Sequence, residues 1–562
     1  MQQIVSLKHG SPKSMIILKL PCCLFLLLSM PCFVVLGQSP AASGTIKEAE
    51  FIIEKEQKNY LPASTRFFKK AMLPTHIPKS ATALQYGLQE ITPQLDTLAH
   101  KIKLLKAKQE LLARMYGNYC KGGYGHEHMP YLALYFDTKV NAQYGYGLHV
   151  NHFSWGKDHY VEEHHHIAQL HGKWVAKNIC LDGVFGYHWD KYPIIQLRNP
   201  SHHDPQQAQI FHQIGLQTIL SNYPQNTLHY QIPVSLVHIQ NTEKEQEKQG
   251  NWHTQLAYSL NKSLSLQALT ALFVSQYQYK NNTSNNRYLG RLQPILSILA
   301  NEFTIQAGCN LVYQNDVPGV VSNFNAYPML KLQYAPYRWL RPYIGLAGDI
   351  QQNSWQQFIA ENPWIVSQVA LRHTNQSFAF YGGLKGDIQE QATFHAGITL
   401  GNYQNLPFFV NSMQEPRKFV IQYDPSTTLS HIFGELTHTN RAETLVTRLK
   451  ANYYYYKLKQ LLNPWHKPSY RVELLSTYRL QDKVLVKGNL YWLGGVKALE
   501  PSTQTTKQLS DFVDLGVGID YLWNQRFSIF LDCQNLLARN QVQYLYTPTR
   551  GLHILLGLTY AW

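Results

Sequence analysis

The C-terminal residues 551–562 alternate between two faces with a period of two. Side chains alternate across a β-strand, so one face of this segment is wholly apolar and ends in two aromatic rings. That face consists of Leu552, Ile554, Leu556, Leu558, Tyr560 and Trp562. A soluble edge strand exposing it would aggregate, whereas in a closed barrel it would face lipid. The segment therefore predicts an all-β transmembrane barrel, with Tyr560 and Trp562 at the membrane interface.

The N-terminus has the features of a secretory signal. Lys8, Lys13 and Lys19 precede or open an apolar run over residues 20–36, and a cut near Gln38 would follow it. We therefore expect a signal peptide over residues 1–37. A single-pass anchor with a soluble exterior domain is the alternative, but the run is short for a spanning helix.

The composition favours a barrel over a soluble globular protein. Aromatic residues make up 13% of the chain, and Asp, Glu, Lys and Arg together only 15%, below the roughly 25% of globular domains. The formal net charge is +15. Because the basic residues are dispersed and the chain is exported, we predict no nucleic-acid partner and favour attraction to anionic lipopolysaccharide or anionic solutes. The cysteines outside the signal show no disulfide or zinc spacing, and no cofactor is predicted.

Two regions follow the signal. Residues 38–112 are predicted to be a short mixed segment, helical over 46–59 and then broken by prolines, that lies in the periplasm or occludes the lumen. From Arg114 the sequence repeats a strand-turn-strand pattern, which predicts a barrel over residues 113–562 with about 22 antiparallel strands (range 16–22). A soluble propeller is the rival interpretation, but no repeat near 40 residues is present.

The strand connections alternate in length. Residues 177–178 and 481–483 are short connections, whereas 154–165, 241–250 and 354–375 are long and polar. Short periplasmic turns and long external loops are typical of outer-membrane barrels. The polar strand faces then predict the pore-lining residues, which are Lys483, Lys487, Asn489, Arg526, Asp532, Gln534 and His553.

Histidines cluster near three long connections. These residues are His126 and His128, then His159 and His164–His166, then His202 and His203 beside Asp204. Imidazoles and carboxylates could bind Zn, Ni or Cu at the outer rim. Solvated loop histidines are the alternative, and because the spacing is loose we predict no metal site.

A catalytic interpretation rests on one pair. His152 and Ser154 share the predicted lipid face, and the pair resembles the His-x-Ser motif of outer-membrane lipid hydrolases. Such a dyad needs a third orienting group. Trp155 stands where that family has Asn, and no orienting residue can be assigned.

The barrel region resembles a known family. Residues 526–562, with a Gln-Asn-Leu-Leu turn at 534–537, resemble the barrel end of TonB-dependent receptors, and the terminal Trp resembles the C-terminal signal of outer-membrane proteins. Residues 112–125, 413–436 and 465–468 are similar to receptor-like barrels without a recognisable plug. The resemblance implies a 22-stranded barrel. TonB-dependent receptors also carry a globular plug and a TonB-contact box, neither of which is recognisable in residues 38–112.

Three functions remain open at this stage. The first is a receptor-like or porin-like barrel for passage or binding of solutes at the cell surface. The second is a structural or secretion-associated scaffold with an occluded barrel, and the third is a lipid hydrolase using Ser154 and His152. The predicted partners are outer-membrane lipids, the barrel-assembly machinery and a periplasmic protein that binds residues 38–112.

Overall fold

The computed structural model describes residues 117–138, 143–156, 163–194, 208–222, 227–281, 283–316, 323–337, 339–389, 391–539 and 541–562. The expected signal peptide and the segment 38–112 lie outside these residues. The described part forms one closed sheet of 22 antiparallel strands, in which the first strand pairs with the last. The predicted fold class and strand number are therefore confirmed.

The barrel strands follow chain order around the sheet. They are β1 (Tyr119–Gly125), β2 (Met129–Asp137), β3 (Tyr144–Trp155), β4 (Glu163–Val175), β5 (Ile179–Pro193), β6 (Ala208–Asn222), β7 (Leu228–Asn241), β8 (Gln246–Ser259), β9 (Leu264–Gln278), β10 (Ser284–Ala300), β11 (Phe303–Gln314), β12 (Phe324–Tyr334), β13 (Arg341–Gln351), β14 (Thr374–Ile388), β15 (Ala392–Gln404), β18 (Thr427–Thr439), β19 (Leu445–Lys457), β20 (Tyr470–Leu480), β21 (Val484–Gly494), β24 (Phe512–Leu522), β25 (Phe527–Gln534) and β28 (His553–Ala561).

The remaining elements lie in the connections. They are the helix α1 (Trp355–Glu361) and three small hairpins, namely β16 (Leu406–Asn411) with β17 (Phe419–Asp424), β22 (Lys497–Leu499) with β23 (Thr506–Gln508), and β26 (Val542–Tyr544) with β27 (Thr547–Pro548). Among the described residues, no helix is long and apolar enough to span a membrane.

Alternation places apolar side chains on the outside of the barrel. In β28, Leu556 and Leu558 are about half exposed, whereas Leu555 is 8% exposed and packs on Met129 and Phe530 inside the lumen. The same outward pattern recurs around the sheet, for example at Leu236 and Leu330. An apolar outer surface of this kind is stable in lipid and not in water, so the barrel spans a membrane.

Connections alternate between short turns, on the side of the C-terminus, and longer loops on the other side. Turns such as 301–302 and 481–483 contrast with the loops 352–373, 405–426 and 495–511. This alternation was predicted, and it sets the periplasmic and outer ends of the barrel.

Two polar stretches expected in loops are strands. The expected long connection 241–250 is only the turn 242–245, because β8 begins at Gln246. Likewise His164–His166 lie in β4 and not in a loop. In both cases the polar side chains bind other residues across the sheet or in the lumen, so polar composition did not indicate a loop.

Candidate functional site

The long loops fold inward and pack over the outer mouth of the barrel. We call the resulting set of buried side chains the mouth cluster. It joins wall residues of β6, β7 and β9 to residues of the loops 352–373, 405–426 and 535–552. Its members are Phe211, Ile239, Tyr277, Trp355, Phe358, Ile359, Ile365, Val369, Leu371, Phe409, Phe419 and Tyr544. The described residues thus contain a hydrophobic core at the mouth, built by segments far apart in sequence.

Local sequence signals determine where helix α1 begins and which of its faces packs in the mouth cluster. Ser354 Oγ accepts from the Gln357 amide at 3.3 Å, and Gln357 Oε1 accepts from the Ser354 amide at 3.0 Å. This reciprocal capping box begins the helix. Trp355, Phe358 and Ile359 then point to one side at helical spacing and are buried.

Buried carboxylates on the barrel wall hold the inward loops. Glu247 is fully buried and accepts from Ser275 Oγ at 2.6 Å and from the Gln356 amide at 3.0 Å, in the first turn of α1. Glu245 accepts from the Gln368 amide at 2.6 Å. Burial raises the pKa of Glu245. These hydrogen bonds pair buried carboxyl oxygens with loop backbone amides, so they fix the loop against the wall.

A buried ion pair fixes the other end of the same loop. Arg287 is 1% exposed, and its Nε donates to Asp316 Oδ1 at 2.9 Å while Nη1 donates to the Asn353 carbonyl at 2.7 Å. Its Nη2 lies 3.0 Å from His373 Nδ1. Burial and the positive charge of Arg287 lower the pKa of His373 to about 3, so this ring is a neutral acceptor. For Asp316, burial alone would raise the pKa, but the ion pair outweighs it and the pKa is lowered.

His466 joins three loops. Its Nδ1 donates to the Phe409 carbonyl at 2.8 Å, and its Nε2 accepts from the Leu545 amide at 3.3 Å. Burial lowers the pKa of His466 to about 4, which fits a neutral ring with one donor and one acceptor. The backbone φ of 55° at His466 is in the left-handed region, an uncommon conformation for a non-glycine residue.

A cavity of about 560 Å³ lies beside this cluster, among the outer ends of the wall strands and the inward loops. We call it the mouth cavity. Its lining combines aromatic rings, side-chain amides and two arginines. The aromatic residues are Trp155, Tyr192, Trp364, Phe512, Tyr544 and Tyr546; the polar ones include Gln534, Asn535, Gln541, Gln543, Arg417 and Arg550. Its volume falls within the range of about 300–1,000 Å³ that is usual for ligand pockets.

The two arginines of the cavity differ in their partners. Arg550 is held by Glu163, with Nη2–Oε1 at 2.6 Å and Nε–Oε2 at 3.1 Å, and its guanidinium lies 4.7 Å from the Phe153 ring centroid. Arg417 is only partly exposed, and no described residue forms an ion pair or side-chain hydrogen bond with it. Burial lowers its pKa. Partial removal of a cation from water without an ion-pair partner costs free energy, and an anionic ligand would offset that cost.

The predicted pore-lining residues fall into two groups. Five of them, Lys487, Asn489, Asp532, Gln534 and His553, lie in strands on the lumen side. Lys487 pairs with Asp520 at 2.5 Å, and Asp532 pairs with Lys121 at 3.4 Å. Lys483 and Arg526 lie instead in the exposed short turns 481–483 and 523–526. The lumen cations predicted at Lys483 and Arg526 are therefore at the periplasmic rim, and Lys487 is neutralised.

Gln534 and His553 also line the mouth cavity, and Gln534 accepts from Asn489 Nδ2 at 3.2 Å. These two residues thus connect the predicted lumen face with the cavity.

The proposed Ser–His dyad is not assembled. Ser154 and His152 do share the outward face of β3, but no hydrogen bond joins them. His152 Nδ1 lies 3.0 Å from His166 Nδ1, and Ser154 is 7% exposed. A nucleophile needs its base within hydrogen-bond reach, so this geometry does not support the hydrolase hypothesis.

Among the described residues, no group of three or more His, Cys, Asp or Glu side chains could hold a metal ion. His126 and His128 both lie in the tight connection 126–128 between β1 and β2. His159, His202, His203 and Asp204 lie outside the described residues.

The terminal aromatic residues lie on the outer surface. Tyr560 and Trp562 are 44% and 38% exposed, and their rings stack at 5.5 Å. Trp562 also contacts Phe136 edge-on at 5.5 Å. This is the placement expected for an interface girdle, while their role in assembly stays a prediction.

Sequence reasoning missed the residues that form the mouth. Arg417, Arg550 and His466 gave no separate signal, because their partners are distant in sequence. The nearest indication was the Trp-His-Lys-Pro stretch at 465–468, which entered only as part of the family resemblance and proves to contain the histidine that joins three loops.

These features define a 22-stranded outer-membrane β-barrel whose outer mouth is closed by its own loops. No protein-family model and no curated protein matches the chain. Solved structures do match the chain. The barrel is similar to the closed form of the ferric-catecholate import receptor Fiu of E. coli K12, with a TM-score of 0.60 and 10% identity over 80% of this chain and 82% of that one.

Two further structures show the same likeness. The FrpB iron transporter of Neisseria meningitidis has a TM-score of 0.61 and 8% identity, covering 80% of this chain and 82% of that one. The siderophore receptor PirA of Acinetobacter baumannii has a TM-score of 0.59 and 8% identity, covering 79% and 80%. At such identities the likeness shows a shared fold. The receptor-like barrel expected from the sequence is confirmed at that level.

Proposed function

We propose that the protein is a cell-surface receptor that binds a solute in the mouth cavity and passes it into the barrel when the inward loops open. The observation that carries this proposal is Arg417, a partly buried guanidinium that faces the aromatic cavity without an ion-pair partner among the described residues. A cavity of about 560 Å³ is in the range of small-molecule sites.

The lining indicates an anionic solute with flat apolar surfaces. Arg417 would pair with its charge, while rings such as Trp364 and Tyr544 would stack on its faces. Ferric catecholates have both properties, and the similar solved structures include a ferric-catecholate import receptor and a siderophore receptor. We therefore place ferric siderophores of the catecholate type first among the solute classes.

A binding titration tests this proposal. The purified full chain in detergent is titrated with a ferric tris-catecholate complex, and tryptophan fluorescence quenching is the readout. A charged hydrogen bond is worth about 1.5–3 kcal/mol, so Arg417→Gln should weaken binding roughly tenfold or more. Arg441→Gln, in an exposed short turn, is the matched control and should bind like wild type. Equal affinity of wild type and Arg417→Gln, or no binding at all, would refute the assignment.

A scaffold with an occluded barrel is the second candidate, and the mouth cluster favours it. Planar-bilayer conductance separates the two functions. A receptor should conduct when residues 353–372 are deleted, or when ligand opens the loops. A scaffold should stay silent under both conditions, provided that the variant barrel remains folded by heat-modifiable electrophoresis.

The partners follow from the same proposal. The apolar outer face is suited to outer-membrane lipids, and the terminal strand ending at Trp562 would be recognised by the barrel-assembly machinery. Residues 38–112 would bind a periplasmic partner or occlude the lumen. Crosslinking from this segment in intact cells would identify such a partner.

A further inference from the structure

The outward face of six adjacent strands, β3 to β8, is basic and lacks carboxylates. All four acidic residues of these strands, namely Glu163, Asp182, Asp190 and Glu247, occupy positions that alternate with the outward apolar ones and so face the lumen. The outward positions instead carry His152, His164, His166, Lys191, His212, His238 and Lys248. Five imidazoles and two ammonium groups therefore face outward on β3–β8, and no carboxylate lies on the same face.

These residues lie at one level, near the outer edge of the membrane. A tilted strand crosses the hydrocarbon region in about 9–11 residues. Counted from the short-turn ends of β5 and β6, Trp189 and His212 lie at that distance. His166 and Lys248 occupy similar places on β4 and β8. The set, which we call the histidine belt, therefore lies where the polar headgroups of the outer leaflet begin.

The central part of the belt is a connected group. The Nδ1 atoms of His152 and His166 lie 3.0 Å apart, and the His166 ring lies 4.8 Å from that of Trp189. His212 Nδ1 lies 2.9 Å from Tyr187 Oη. The Nε2 atoms of His152, His166 and His212 form no hydrogen bond with any described residue. These rings are thus oriented through Nδ1. Within the His152–His166 pair one ring donates through Nδ1 and the other accepts, so the accepting ring carries its proton on Nε2 and can donate it to a ligand.

The belt differs from the rest of the outer girdle. At comparable distances along five of the other strands, β10, β11, β14, β19 and β21, an outward residue is aromatic and uncharged. Tyr288 stacks on Tyr313 at 6.0 Å, and Phe378, Tyr455 and Trp492 are 51%, 58% and 39% exposed. Aromatic rings are the usual interface residues, so the histidines and lysines of β3–β8 mark a distinct surface.

We propose that the histidine belt binds the phosphate groups of an outer-leaflet glycolipid. Phosphate oxygens accept hydrogen bonds from imidazole N–H and ammonium groups, and the absence of outward carboxylates on β3–β8 removes repulsion. Trp189 and the apolar rows beneath it would contact the sugar and acyl chains of the same molecule. The glycolipid is favoured over a phospholipid because the belt lies at the end of the barrel that carries the long loops, which is the outer leaflet. This inference does not depend on the solute proposed for the mouth cavity.

Native mass spectrometry of the full chain in detergent tests the inference. Wild type, incubated with diphosphoryl lipid A, should retain the lipid, and should retain monophosphoryl lipid A less well. The outward variant His152→Gln/His166→Gln/His212→Gln should retain at least fivefold less diphosphoryl lipid A. The matched control His149→Gln/His188→Gln changes two histidines of β3 and β5 that face the lumen, and it should behave like wild type.

Two results would overturn the inference. One is equal retention of diphosphoryl lipid A by the outward variant and wild type. The other is equal retention of phosphatidylglycerol and lipid A by wild type, which would show that the belt recognises any anionic headgroup. If the outward variant does not fold, as judged by heat-modifiable electrophoresis, Lys248→Gln replaces it. Lys248→Gln should retain about twofold less diphosphoryl lipid A than wild type. Equal retention by Lys248→Gln and wild type would count against the inference.

Discussion

Acidification should open the barrel mouth through His466. Its neutral ring donates to the Phe409 carbonyl and accepts from the Leu545 amide, so protonation of Nε2 would place a charge in the buried mouth and turn an acceptor into a donor. The pKa is about 4 in the closed mouth and would return to about 6.5 once the ring is solvated. Because the closed state has the lower pKa, the contribution of His466 to closure is fully present above pH 6.5. It is lost progressively as the pH falls towards 4.

The size of the effect follows from these two values. At pH 5 the open state is mostly protonated at His466 and the closed state mostly is not, so closure is weakened by about 2 kcal/mol, or roughly 30-fold. His373, whose pKa is lowered to about 3, acts in the same direction on its own loop, 352–373, which contains neither of the backbone groups that His466 binds.

Hydrogen–deuterium exchange of the loops 405–426 and 535–552 measures this opening at pH 7 and pH 5, after correction for intrinsic exchange rates. Protection should fall roughly 30-fold in wild type. His466→Gln keeps a donor and an acceptor but does not titrate in this range, so its exchange should depend much less on pH. His229→Gln, an exposed residue at the periplasmic end of β7, is the control and should follow wild type. The same pH dependence in wild type and His466→Gln would refute this reasoning.

Three further outcomes are expected. Leu556→Arg should abolish membrane insertion, since a lipid-facing arginine near mid-membrane costs about 2–4 kcal/mol. The lumen-facing variant Thr559→Arg should still fold, as measured by heat-modifiable electrophoresis. Equal effects of the two substitutions would mean that the faces are assigned wrongly. Deletion of Trp562 should reduce outer-membrane assembly in cells, and normal assembly would contradict its role as a signal. Arg287→Met should leave Asp316 buried without its partner and lower thermal stability by the equivalent of about 3–5 kcal/mol. Combining Arg287→Met with Asp316→Asn should recover part of that loss. No recovery in the double variant would show that the pair is not coupled.

The sequence alone determined the barrel. Outward residues such as Leu556 and Leu558 repeat with a period of two, and this local pattern directly specifies a strand with one face in lipid. The alternation of short turns and long loops is also local. The strand number, the closure and the outward position of Trp562 could therefore be predicted before any contact was known.

Polar residues were harder to place from the sequence. Lys483 and Arg526 continue the alternation of their strands, yet they lie in turns, because the alternating pattern does not mark where a strand ends. Glu247 and His165 lie in strands although their neighbours are polar, because each faces partners inside the barrel. The composition of a segment shows how polar it is. Whether its polar side chains are buried depends on the residues that face them in the folded barrel.

Only the tertiary structure shows which residues contact each other at the outer mouth. Arg287 meets His373, and His466 meets Phe409 and Leu545, through contacts between segments that are remote in sequence. Closing the barrel brings the outer ends of all strands together, and their loops then bury apolar side chains against each other and against the wall. No local periodicity encodes such contacts, because they depend on the ring of strands being complete. The membrane barrel is thus specified by local patterns, and the candidate site by the closure of the whole sheet.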